Sequence, residues 1–471
     1  MKNQISSSKK ERHNDGECET PICDFVRGYI KSDMVRLHMP GHKGRDILGV
    51  EALDITEIAG ADSLYEAEGI IAESEKIASA LFGSAQTFYS AEGSSQCIRA
   101  MLFLALMRFK ERYQKKLPEG TRPVVVAARN AHKAFLTAAA LLDFDIVWLW
   151  DEEGDEEQTL CRCTVSKEKL DALLSELSAP AAVYLTSPDY LGGILDIREL
   201  AKVVHHHDTL LLVDNAHGAY LHFLANPLHP LDLGADLCCD SAHKTLPVLT
   251  GGAYLHIAGT VSEIAVYARQ ALALFGSTSP SYLILQSLDQ TNRYLMGEYQ
   301  YRLEKCIKNL NILREQLCSC GWFSEGEEAL KLTIATAKSG YYGEEFAAYL
   351  RAEGMECEYA DPDFVVFMFT PENREEDFKR LYSCIKKIPV REALCRRPPV
   401  FLPPRRVLSV REAVFSPYEI IPTKEAAGRV MGPASYHCPP AIPIVVSGEE
   451  ICSDAVQALL YYGVCEVGVV R

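Results

Sequence analysis

Two short stretches hold residue types that can do covalent chemistry together. Residues 213–218 read VDNAHG and set Asp214 at the end of the apolar run Leu210, Leu211, Leu212, Val213; residues 241–247 read SAHKTLP and set Lys244 just after the run Ala235 to Cys239. An apolar run that ends in a polar residue reads as a buried strand, and open α/β sheets keep their ligand chemistry at the carboxyl ends of such strands. A lysine placed there can act as a Schiff-base lysine. A carboxylate placed there can hold a protonated ring nitrogen, where its charge matters most.

Three further stretches supply what those residues would need around them. Thr87, Phe88 and Tyr89 form a brief strand that runs into Ala91, Glu92, Gly93, Ser94, Ser95, and a long helix opens there. Backbone amides, two hydroxyls and the positive helix end then converge as a phosphate cradle, although serine before a helix is also an ordinary cap. Val124 to Val126 exits into Arg129, Asn130, Ala131, His132, Lys133, and Ala182 to Thr186 exits into Ser187, Pro188, Asp189, Tyr190. Pyridoxal 5'-phosphate requires a lysine, a carboxylate for its ring nitrogen, a plate over the ring and an anion cradle. Lys244, Asp214, His132, and Gly93 with Ser94, Ser95 and Ser241 answer to that set.

The elements that must position these residues alternate in type. Strands at 124–126, 145–149, 182–186, 210–213 and 235–239 are separated by helices, including one from about Ser166 to Leu177. Repeated strand, helix, strand units predict an α/β fold with a mostly parallel sheet between helices. After the motif FGSTSPSY at 275–282 comes a helical run to about Leu317, then a smaller α/β unit with strands at 330–336 and 364–369 and helices at 343–354 and 375–387. We divide the chain into an N-terminal tail and arm (1–53), a large domain (54–300), a small α/β domain (301–390) and an appended C-terminal segment (391–471). That segment begins in the proline-rich linker RRPPVFLPPRR at 396–406.

Composition narrows the partners. The chain has 471 residues, 48% hydrophobic and 24% charged, with a formal net charge of −16. That size suits two or three domains. The acidic balance argues against nucleic acid or an anionic membrane surface and is compatible with a cationic ligand. No apolar run is long enough for a membrane span, and the polar first residues MKNQISSSKKERHNDGE read as a loose tail, so the expected location is the cytoplasm. The sixteen cysteines are read as reduced thiols, because Cys161 with Cys163, Cys238 with Cys239, and Cys318 with Cys320 lack knuckle spacing. His205, His206 and His207 point in different directions from a helix end, so no metal site is expected. His38 and His42, in the loop MVRLHMPGHKG at 34–44, either line the site's mouth or shape the loop.

In this order, HMPGHKG, DITEIAGADSL, NAHKAF, SPDYLGGILDI, VDNAHGAY, SAHKTLP, STSPSYLILQSLD and AIPIVVSGE resemble the short form of the lysine/ornithine/arginine decarboxylases, from about His38 to the end. The resemblance implies a fold type I, aminotransferase-like architecture with a seven-stranded sheet, and a cytoplasmic enzyme of polyamine synthesis that removes CO2 from a basic amino acid. It implies that Lys244 carries the cofactor, Asp214 pairs with the ring nitrogen, His132 stacks on the ring, and Ala216 and His217 pack beside it. Ser94, Ser95, Ser241 and His243 would serve the phosphate region. Ser277 and Thr278 would reach the cofactor of a neighbouring subunit, which implies a homodimer or larger homo-oligomer with shared sites. The chain departs from the family pattern at Glu92, at Asn215, where the family has glutamate, and at Cys438 to Ala441. Transamination on the same fold, and a silent relative that only binds partners, are the other readings. Glu57 and Asp62 are the acids considered for the substrate's distal cation.

Overall fold

Five-residue apolar runs alternate with helices along the first half of the chain, and pairing those runs side by side buries both faces of one sheet. The computed structural model describes residues 19–113, 118, 120–150, 164–395, 399, 403–433 and 443–471. Cys161, Cys163, the stretch Cys438 to Ala441, the acidic loop after Trp150 and much of the proline-rich linker lie outside the described residues. Seven strands form the main sheet: β1 Gln86–Ser90, β2 Val124–Ala128, β3 Asp145–Leu149, β4 Ala182–Thr186, β5 Leu210–Asp214, β6 Leu237–Asp240 and β7 Ala253–Ile257. Their order is β1-β7-β6-β5-β4-β2-β3. The pairs from β6 to β3 are parallel, whereas β7 runs antiparallel to both β6 and β1.

Side chains alternate across this sheet with the period of two that extended backbone imposes. Val125, Ala127, Leu210 and Leu212 pack on one face with the helices Ser94–Tyr113 and Lys133–Leu142. Val126, Ala128, Leu211 and Val213 pack on the other with Lys167–Glu176 and Ile197–His206. The two reversals at β7 return β1 to the direction of β6. The C-terminal ends of β1, β2, β4, β5 and β6 therefore lie along one edge, together with the N-terminal end of β7.

A second sheet, in order β10-β11-β9-β8, comprises β8 Ser324–Glu325, β9 Lys331–Ile334, β10 Tyr359–Ala360 and β11 Val365–Met368. It meets the first domain at the loop after β4. The amides of Glu327 and Glu328 both donate to Gly192 O, at 2.7 and 2.9 Å. Gly326 has φ +84°, and a side chain on it would collide with the Leu191 carbonyl. The helical run to Leu317 is two helices, Tyr282–Met296 and Tyr299–Ser319, because the backbone at Gly297 leaves the helical region. The C-terminal segment forms an antiparallel pair, β12 Tyr418–Pro422 and β13 Glu466–Val470, and has its own small core that includes Ile444, Val445, Ile451 and Leu459.

Candidate active site

Asp214 ends β5, buried, and three donors fix its carboxylate. Tyr184 Oη donates to Oδ2 at 3.0 Å, and the Ala216 amide and Cys239 Sγ donate to Oδ1 at 3.2 and 3.7 Å. Charge-assisted bonds from both neighbouring strands leave the group little freedom to swing. The next residue, Asn215, donates through Nδ2 to Asp240 Oδ1 at 2.7 Å. His229 Nε2 and His256 Nε2 approach Asp240 Oδ2 at 3.0 and 3.2 Å. A neutral amide beside a fully buried carboxylate gives Asn215 a donor's task that a glutamate could not perform while ionised. His229 Nδ1 accepts from the Leu231 amide, so its proton sits on Nε2 and faces Asp240. The cluster of His229, Cys238 and Asp240 is thereby a hydrogen-bonded network behind the site.

Lys244 stands in a single turn, Ala242–Thr245, directly after β6. Its Nζ lies 3.0 Å from His217 Nε2. Burial pulls the Lys244 pKa below the usual lysine value; Asp214 opposes that shift and Lys331 adds to it. Burial, followed by the fields of Lys244 and Lys331, also holds His217 well below an ordinary histidine. Both shifts bias the pair toward its uncharged forms, which suits a nucleophile.

The cradle forms where β1 ends. Gly93 has φ +72° with open space where a side chain would stand, and its amide donates to Gly251 O at 2.7 Å. Ser94 opens the helix Ser94–Tyr113, followed by Ser95, and Ser241 Oγ donates to Ser94 Oγ at 2.7 Å. The first amides of that helix lack intrahelical acceptors and face outward with the positive end of its dipole. His243 Nδ1 lies 3.0 Å from Gly252 O, which ties it to the start of β7. Glu92 accepts from the Ser277 amide at 3.3 Å, so this acid beside the cradle has a partner.

His132 caps the helix Lys133–Leu142, its Nδ1 accepting from the Ala134 amide at 3.2 Å. By surface area the ring is exposed, yet the protein surrounding it at longer range lowers its pKa, and Lys244 adds to the effect against Asp214. One face of the ring is open, and the lowered pKa biases it toward the neutral form. Arg129, one turn earlier, forms a buried pair with Glu449 at 2.7 Å and lies over Trp148 and Trp150, so the C-terminal segment is clamped beside His132.

The structure thus brings Lys244, Asp214, His132, His217, Ala216, His243, Ser241, Gly93, Ser94 and Ser95 to one sheet edge. Ser277 and Thr278 are exposed and meet that edge in the same chain through the bond to Glu92. Asp62 accepts from the amides of Gly69 and Ile71, which makes it the cap of the helix Ile70–Phe82 rather than an open acid. His38 lies 2.6 Å from Tyr29 Oη and His42 3.2 Å from Asp54 Oδ2, which ties the loop 34–44 to residues on either side of it. His205 and His207 bond to separate carboxylates, Asp236 and Asp171. Sequence reasoning missed Lys331, Glu328, Tyr184 and Asp240. The one available signal was a lysine inside the apolar run Leu330 to Ile334.

The residues present fit pyridoxal phosphate: a lysine amine, a fixed carboxylate opposite it, and a side-chain-free turn between two serines and a helix start. The buried Asn130 Oδ1 and Thr245 Oγ1, near the same edge, have no hydrogen-bond partner among the described residues. Fold and site together define a class, the fold type I architecture of pyridoxal-phosphate enzymes. Residues 20–334 match the family described as Orn/Lys/Arg decarboxylase, major domain. The chain is 28% identical over 470 residues to the arginine decarboxylase of Bacillus subtilis (strain 168), covering 93% of this chain and 92% of that one. It is 26% identical over 472 residues to the arginine decarboxylase of Bacillus anthracis, covering 93% and 92%. Among solved structures, the constitutive lysine decarboxylase of E. coli aligns with a TM-score of 0.75 at 16% identity, over 96% of this chain and 82% of that one. The lysine decarboxylase of Francisella novicida aligns with a TM-score of 0.76 at 16% identity, over 96% and 81%. The chain belongs to the Orn/Lys/Arg decarboxylase family and is an amino-acid decarboxylase.

Proposed function

We propose that this protein uses pyridoxal phosphate to decarboxylate a basic amino acid, lysine, ornithine or arginine, and releases the corresponding amine and CO2. The observation that carries the reading is the pairing of Lys244, beside a neutral His217, with the triply bonded Asp214 at adjoining strand ends. When bound, the cofactor supplies an electron-accepting ring that stabilises the negative charge left at Cα as CO2 departs. Lys244 would hold the cofactor, its amine being the group at this strand end able to bond an aldehyde. Asp214 keeps a proton on the ring nitrogen, and its fixed position places that charge before the reaction begins. His132, Ala216 and His217 would hold the ring, and Gly93, Ser94, Ser95, Ser241 and His243 would serve the phosphate.

The working unit in this reading is a cytoplasmic homodimer or larger homo-oligomer. The arm leaves a row of large apolar side chains in solvent: Leu37 is 89% exposed and Leu48 83%, with Val35, Ile47, Met34 and Met39 close behind. Such a row on a single chain calls for a cover, and a second copy supplies one. Cys238 and Cys239 are buried free thiols, which suits a reducing compartment.

The test is an assay of purified protein with pyridoxal phosphate against the three amino acids, arginine first because the sequence relatives bear that name. CO2 with agmatine, cadaverine or putrescine as the co-product is the expected result. A keto acid without CO2 would mean transamination, and no turnover of any of the three would remove the proposal.

A further inference from the structure

Lys331 is a lysine with almost no access to solvent. It stands on β9 of the second sheet, and its Nζ lies 2.7 Å from Glu328 Oε2, with both side chains 1% exposed. The same nitrogen donates to Asp189 O at 2.9 Å and lies 3.3 Å from His217 Nδ1. A buried carboxylate 2.7 Å away pairs with this nitrogen as an ion, without the alignment of a hydrogen bond, while Asp189 O and His217 Nδ1 accept from it; a buried carboxylate so close calls for an ammonium partner. An ammonium has no lone pair, so the His217 Nδ1 that faces it must be the unprotonated nitrogen. The imidazole proton then sits on Nε2, and Nε2 faces Lys244 Nζ at 3.0 Å. A donor on that side requires an acceptor opposite, and lysine accepts only as a free amine.

We propose that Lys331 and Glu328 are positioning residues that fix the proton of His217 on Nε2 and thereby hold Lys244 as a free amine before the cofactor arrives. The inference rests on the reading above only in taking Lys244 as the cofactor's lysine. Its consequence is chemical. The lone pair of Lys244 forms the carbon–nitrogen bond to the cofactor aldehyde, and the aldehyde oxygen leaves as water with the amine's two protons. An ammonium would first have to lose a proton to solvent. The second domain thus primes the nucleophile of the first, through a contact between the strand after Gly326 and the loop after β4.

Other charges face this relay. His217 is turned toward Lys244 and Lys331, with His132 and His243 also acting on it, and Tyr190 edge-on to its ring at 5.2 Å. Lys244 additionally feels Asp214 and Glu358. Around Lys331 and Glu328 stand Tyr220 and Arg314, the latter donating to the carbonyls of both. Burial raises the Glu328 pKa, and Lys331 is the strongest influence opposing that shift.

The first test is nitrogen NMR of the full chain, labelled with ¹⁵N-histidine and stripped of cofactor. The His217 signals are assigned by their absence in His217→Gln. An unprotonated Nδ1 and a protonated Nε2 between pH 6.5 and 8 are expected; the opposite tautomer, or an imidazolium, would overturn the proposal. The second test is the double variant Glu328→Gln with Lys331→Met, which removes both charges together and leaves neither unpaired. Pyridoxal phosphate capture, followed by visible absorption across pH, should shift upward by about one pH unit and slow about tenfold at neutral pH. An unchanged profile in a folded double variant sinks the idea, and if that variant does not fold, the NMR result decides. Neither readout needs turnover, so failure of the decarboxylase reading and failure of this relay are told apart.

Discussion

In the proposed function Lys244 and Asp214 have different roles, and single substitutions separate the two. Lys244→Ala removes the only amine in contact with His217 Nε2 among the described residues, so the visible absorption of lysine-bound cofactor and the turnover should both vanish. The circular dichroism should be unchanged, because Lys244 is half-buried at the end of a single turn. An active Lys244→Ala protein would end the assignment. Asp214→Asn keeps shape and removes charge where negative charge develops in the reaction. Cofactor binding should survive while kcat falls by roughly two to three orders of magnitude. The placement of these two residues at strand ends was legible in the sequence because each comes after a short apolar run. Lys331 was not, because its role depends on Gly326 bringing the second sheet against Leu191, and nothing within residues 326–334 announces that contact.

At the scale of elements, the sequence located six of the seven strands of the main sheet to within two residues at each end, because burial on two faces leaves long apolar runs that end abruptly in polar residues. It joined two helices across Gly297, since one glycine in a helical pattern is tolerated as often as it breaks. It read the C-terminal segment as an appendage without locating its anchors. One anchor, besides the bond from Arg411 to Ala140 O and the pair of Arg406 with Asp145, is Arg129. Its guanidinium pairs with Glu449, donates to the carbonyls of Pro443 and Ile444, and lies within 5 Å of the centres of two tryptophan rings. Arg129→Met would leave Glu449 buried without its cation, a loss of about 3–5 kcal/mol for a pair of this kind. Calorimetry should show an earlier unfolding transition, and hydrogen exchange should show protection lost first at residues 443–449. Unaltered exchange in that segment would mean that the small core of Ile444, Ile451 and Leu459 holds it without the ion pair.

The whole molecule raises the question of where one active site ends. Ser277 and Thr278 are exposed, and their own chain engages the Ser277 amide through Glu92, while Ser277 Oγ accepts from the Ser279 amide. The Thr278 hydroxyl sits on the surface beside them, on a segment that also exposes Leu274. An exposed hydroxyl next to exposed apolar residues suits a contact with a second copy, with the loop crossing to the partner's phosphate. If each site takes its lysine from one subunit and these hydroxyls from the other, then two different inactive variants can repair each other. One subunit carries Lys244→Ala and the other carries Ser277→Ala with Thr278→Ala. In a mixed dimer one site collects both lesions and the other collects neither. Random pairing makes half of the dimers mixed, each with one intact site, so activity should rise to about a quarter of wild type. The recovery should also grow with the time allowed for exchange and be absent when the two variants are cross-linked before mixing. If differently labelled subunits demonstrably exchange and activity stays at the level of the separate variants, the hydroxyls serve the cradle of their own chain, on the side where Glu92 already holds Ser277.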